Sequence, residues 1–181
     1  MPLKSPKNRR ANKGFSIVEA LLAMTIITTG LIPLLSLASL SSSISNRMRD
    51  SFIAANLAQE GVEIIRSLRD ENWLRYNCFG VACGTTSPVG SWRVQWDNNL
   101  TTNLPVVVGA NPPLNITADK IYTYSAGTVT RYKRIAEVTE VIAGTELKVI
   151  VTVEWPSKYS IAGCSPNTLC LKNELHLFNW K

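Results

Sequence analysis

The feature that most constrains this chain is the run FSIVEALLAMTIITTGLIPLLSLASL, from Phe15 to Leu40. It is apolar or small throughout and carries one charge, Glu19. Its 26 residues, at a helical rise of about 1.5 Å, make a rod of roughly 39 Å, enough to cross a hydrocarbon core of about 30 Å with some tilt. Lys4, Lys7, Arg9, Arg10 and Lys13 precede it with no acid among them. By the positive-inside bias, positions 1–14 stay cytoplasmic and the chain after Leu40 is exported.

Two ordinary explanations compete for such a segment. A cleaved secretory signal fits the basic start and the small residues around Ser36-Leu37-Ala38, but its apolar region is usually only about 7–15 residues long. A plain membrane anchor accounts for the length and leaves Glu19 unexplained. A carboxyl inside a spanning segment costs a few kcal/mol, so it calls for a partner or a function.

The sequence Lys13-Gly14-Phe15-Ser16-Ile17-Val18-Glu19, leading into the apolar run, resembles the prepilin leader of type IV pilins and type II secretion pseudopilins. The Ala23-Met24 and Gly30-Leu31 steps look most like minor pilins and pseudopilins. The resemblance covers about the first forty residues. It implies cleavage after Gly14 by a prepilin peptidase, N-methylation of the new terminus Phe15, and an assembly role for Glu19. The freed amine of Phe15 would sit beside the Glu19 carboxylate of a neighbouring subunit, a pairing that makes both charges tolerable in apolar surroundings and fixes register. The resemblance further implies other pilin or pseudopilin subunits as partners, together with the processing peptidase/methyltransferase and an inner-membrane assembly platform. The chain would be a single-pass inner-membrane protein before assembly and part of a cell-surface or periplasmic filament afterwards.

Gly30 and Pro33 mark a second local feature. Proline lacks an N–H and crowds the carbonyl of Thr29, so a kink is expected there. In pilins a glycine–proline interval at comparable depth looks like the stretch that melts on polymerisation.

Beyond Leu40 a helical pattern continues. Ile44, Met48, Ser51, Ala55, Ala58, Val62, Ile65 and Leu68 recur at steps of four and three, one stripe of an amphipathic helix. Glu63–Arg66 and Arg66–Asp70 stand at helical pair spacings, and Gly61 weakens the helix slightly. One helix from Phe15 to Trp73 is therefore expected. Positions 76–118 are rich in proline and glycine, with Trp92–Trp96 as a short strand. Strands are then expected at Ile121–Tyr124, Thr128–Val141, Leu147–Trp155 and Leu169–Trp180, with a hairpin turn at Ala143-Gly144. The fold class that follows is α+β, a long N-terminal helix packed on an antiparallel β-sheet head. Its parts are a removable leader at 1–14, an assembly helix at 15–40, its amphipathic continuation at 41–75 and the head at 76–181.

The remaining chemistry is sparse. Four cysteines form two close pairs, Cys78/Cys83 and Cys164/Cys170, and an exported head makes disulfides the default. Three connectivities are open, and the short separations favour pairing within each cluster. Zinc is disfavoured by the spacing and by His176 being the lone histidine, so no metal or cofactor is expected. No nucleophile or nucleotide-binding motif is found, which argues against an enzyme. His176 and the five tryptophans read as structural residues, the tryptophans buried in the head. Taking the five leader cations from 19 basic residues leaves 14 against 13 acidic ones, a nearly neutral mature chain that argues against nucleic acid as a partner. The function expected is that of a structural filament subunit, a minor pilin or pseudopilin. A major pilin and a tip-located adhesin or DNA-uptake subunit remain alternatives.

Overall fold

The computed structural model describes residues 16–100, 105–107, 109, 111–158 and 162–179. The chain divides into two compact units, Met1–Arg47 and Met48–Lys181. One helix, α1, runs from Ile17 to Tyr76 and so begins in the first and ends in the second. It remains helical through Gly30 and Pro33. A 3-10 segment follows at Gly80–Thr86, and then come, among the described residues, eight strands. They are β1 (Gly90–Arg93), β2 (Val106–Val107), β3 (Asn115–Ile116), β4 (Tyr122–Thr123), β5 (Thr128–Val129), β6 (Lys133–Ile142), β7 (Glu146–Pro156) and β8 (Thr168–Phe178).

Among the described residues these strands form two antiparallel sheets. The larger has the order β2-β1-β6-β7-β8 and the smaller β4-β3-β5. In β7 the inner residues Leu147, Val149, Val151, Val153 and Trp155 are all buried. β6 contributes Arg134, Ala136 and Val138 on the same parity. Against them α1 sets Ala54, Leu57, Ala58, Gly61, Val62, Ile65 and Leu68. The long helix and the antiparallel sheet thus bury each other, an α+β arrangement. The turn at Ala143-Gly144 closes the β6–β7 hairpin, with Gly144 at φ +67° and Thr145 N–H donating to the Ile142 carbonyl at 2.9 Å.

Several local expectations need correcting. Of the expected stripe of α1, Ile44, Met48 and Ser51 are exposed and Ala55 is half-buried, so it becomes buried only from Ala58, while Ala54 and Leu57 beside it are buried too. Asp70 pairs with Arg69 at 2.7 Å, not with Arg66, whose partner is Glu63 at 2.9 Å. The strand expected at Trp92–Trp96 lies at Gly90–Arg93, because the chain turns after Val94. Gln95 N–H donates to Asn98 Oδ1 and Asn98 N–H to the Gln95 carbonyl. That turn leaves Trp96 57% exposed, contrary to its expected burial, while Trp155 is buried and Trp180 lies outside the described residues. The expected strand Thr128–Val141 is two strands in different sheets. Between them, Thr130 N–H and hydroxyl both donate to the Leu114 carbonyl, and Leu114 N–H donates to that of Tyr132. These bonds pin the 114 segment beside the chain where a continuous strand would have run.

Candidate functional site

The site the sequence points to is the first part of α1. Gly14 and Phe15 lie outside the described residues. Glu19 sits in the first turn, exposed and without an ion pair among the described residues. Between Ile17 and Leu40, thirteen large apolar side chains are more than half exposed. Burying one such side chain is worth about 1.5–3 kcal/mol, so the set represents on the order of 20–40 kcal/mol of unclaimed burial. A helix with that surface needs lipid or other apolar helices around it. By length and composition it suffices to cross a membrane.

Its polar side chains suit such surroundings. The hydroxyl of Thr25 donates to the Leu22 carbonyl at 2.8 Å, Thr28 to that of Met24 at 2.9 Å and Thr29 to that of Thr25 at 2.7 Å. These hydroxyls spend their hydrogen bonds on the helix's own backbone and ask nothing of the solvent. Glu19 is the exception, a carboxylate that has no donor to spend on the backbone and no ion pair among the described residues. Gly30 has open space on its Cβ side. Pro33, three residues on, leaves the Thr29 carbonyl without its usual donor.

The second part of α1 is fastened to the head by side chains whose roles the sequence reading missed. Asp50 accepts from the Tyr132 hydroxyl and from Arg131 Nη1, both at 3.0 Å. Burial and the hydrogen bond to Asp50 push the Tyr132 phenol up to about 12. Arg134 is fully buried beneath the helix. Its Nη1 donates to the Leu57 carbonyl at 3.0 Å and lies 3.3 Å from Glu60, and its Nη2 donates to the Val94 carbonyl at 2.6 Å. Its Nε finds no partner among the described residues. Arg69 Nη1 reaches the Phe178 carbonyl at 2.8 Å, tying the helix to the end of β8. Strand parity carried a signal for Arg134, which shares a face with Ala136 and Val138.

Cys78 is bonded to Cys83 and Cys164 to Cys170. The first bridge closes the loop after α1, where Asn72 Nδ2 also donates to the Thr86 carbonyl at 2.6 Å. The second closes the connection from β7 to β8. His176, on the outer face of β8, lies between Glu146 and Glu174, and its hydrogen bonds to them, Glu146 foremost, raise the imidazole above its ordinary value. A cavity of about 280 Å³ lies under the loop, bounded by Ile65, Leu68, Pro88, Trp92 and Leu100. Among the described residues no cluster of histidine, cysteine and carboxylate could hold a metal.

Comparison with known families adds one finding. The prokaryotic N-terminal methylation motif matches residues 9–35, and it is the leader signature of type IV pilins and pseudopilins. The matched stretch spans Gly14, Phe15, Glu19, Gly30 and Pro33. No curated protein and no solved structure matches the chain.

Proposed function

We propose that this chain is a structural subunit, a minor pilin or pseudopilin, of a type IV pilus-like or type II secretion filament, assembled through its N-terminal helix. A methylation-type leader joined directly to an exposed apolar helix carries this reading. The leader signature implies processing by a prepilin peptidase and assembly with other pilins. Cleavage after Gly14 leaves Phe15 as the methylated terminus, and residues 15–40 hold the subunit in the inner membrane until an assembly platform extracts it. In the filament the same surface packs against neighbouring helices, and the Phe15 amine meets the Glu19 carboxylate of a neighbour. The Gly30–Pro33 interval gives the helix a place to loosen during that transfer. The head, with its two disulfides, faces an oxidising compartment. Its role is structural, and it performs no catalysis.

The test compares wild type, Glu19→Ala and Glu19→Gln for precursor cleavage, membrane insertion and recovery in sheared filaments. Cleavage and insertion should persist in all three, and filament recovery should fall in both variants. Equal recovery of the three would refute the charge pairing. A mature terminus anywhere but Phe15 would refute the processing.

A further inference from the structure

Among the described residues, β8 ends the five-stranded sheet and pairs with β7 alone. Its register with β7 is unbroken over eleven pairs, from Thr168↔Pro156 to Phe178↔Glu146. Long edge strands are ordinarily blunted by proline, a bulge, brevity or charged side chains; β8 has only the last of these, and its charges, Lys172 and Glu174, are of opposite sign. Its inner face is also only partly covered. Val149, Val151, Val153 and Trp155 on β7 are buried, whereas their cross-strand neighbours Leu175, Asn173, Leu171 and Leu169 are half-buried. The amide of Asn173 makes no side-chain hydrogen bond among the described residues, although it stands in a row of leucines.

The strand reads TLCLKNELHLF and is self-complementary about its centre. Laid antiparallel on a second copy across a two-fold axis at Asn173, it places Lys172 opposite Glu174, Leu171 opposite Leu175 and Leu169 opposite Leu177. Directly opposed residues point to the same face, so the leucines extend one apolar row and the charges meet on the other face. Each Asn173 amide meets its own copy, where one donates and the other accepts. Moving the axis by one residue to Lys172 sets lysine against lysine and Leu171 against Asn173. Moving it to Glu174 sets glutamate against glutamate and Asn173 against Leu175.

We propose that β8 is a self-pairing edge through which two copies of this chain dock strand to strand, antiparallel and centred on Asn173. The pairing belongs to the head and does not depend on filament membership, so each reading can fail without the other.

The first experiment uses the full-length chain, disulfides intact, in detergent. Lys172→Glu and Glu174→Lys each place like charges opposite one another twice, and each should weaken dimerisation roughly tenfold or more. The double exchange restores the opposed pairs and should restore the dimer. Association driven by the N-terminal helix is common to all the variants and cancels in the comparison. The second experiment replaces Asn173 by Cys and oxidises membranes containing the chain. A bond mapped between the two copies of position 173 is expected, since directly opposed strand positions lie near disulfide range. Folded single variants that dimerise like wild type, a double exchange that fails to recover, or the absence of a bond at position 173 would each overturn the proposal.

Discussion

Gly61→Ala sets two well-understood effects against each other. In the interior of an exposed helix, alanine is better than glycine by about 1 kcal/mol. In α1, however, a Cβ on Gly61 would stand 2.8 Å from Val151 Cγ1 and 3.3 Å from Arg134 Cδ. Neither neighbour moves easily. Val151 is fully buried on β7 between β6 and β8, and its β-branched side chain has few alternative rotamers. Arg134 is held by the Leu57 and Val94 carbonyls. Overpacking of this kind costs about 1–3 kcal/mol, and the need to shift both α1 and the arginine puts this site toward the upper end. After the propensity gain, the net loss should be about 1–2 kcal/mol, or roughly 3–10 °C in Tm. Thermal unfolding of the full-length chain in detergent, followed by near-ultraviolet circular dichroism, measures it. Val151→Ala costs stability alone but should cost much less in the Gly61→Ala background, because the contact under test has been removed. An unchanged or higher Tm for Gly61→Ala, or strict additivity with Val151→Ala, would refute the close approach of α1 to β7.

Arg134→Ala should destabilise the head by about 3–5 kcal/mol, because it opens a cavity and strips the Val94 carbonyl of its donor. Arg134→Met fills most of that space and should cost clearly less, so equal unfolding midpoints for the two variants in denaturant would contradict this account. Tyr132 contributes to stability as a neutral phenol. Since its value is raised from 10.0 to about 12, that contribution is complete below pH 10 and is lost as pH rises toward 12. Asp50→Asn should bring the Tyr132 titration down toward its ordinary range, read as the difference in phenolate absorbance from a Tyr132→Phe control. An unmoved titration would leave Asp50 without the assigned role.

What could be read from the sequence follows how locally each feature is encoded. The leader and the apolar run are contiguous chemistry, so Gly14, Phe15 and Glu19 stand out without any knowledge of the fold. β7 is nearly as plain, because its eleven residues alternate strictly, while β8 shows the same period interrupted at Asn173 and β6 shows it interrupted at Arg134 and run together with β5. The smaller sheet is built from two-residue strands, too short for any period to register. The break at Thr130–Tyr132 depends on bonds to Leu114, a partner whose position only the folded chain supplies.

Arg134 and Gly61 show the same limit from the other side. Taken alone, an arginine on an inward strand face looks like an error, and a glycine inside a helix looks like a weakness. Together they make one device. The absent Cβ at Gly61 lets α1 approach β7 and leaves room for the arginine's stem, whose guanidinium then reaches the Leu57 carbonyl one turn earlier. The same guanidinium holds the Val94 carbonyl, where the chain leaves β1 to turn. A charge that is costly to bury alone is thus anchored from two directions, and substituting either residue removes the reason for the other.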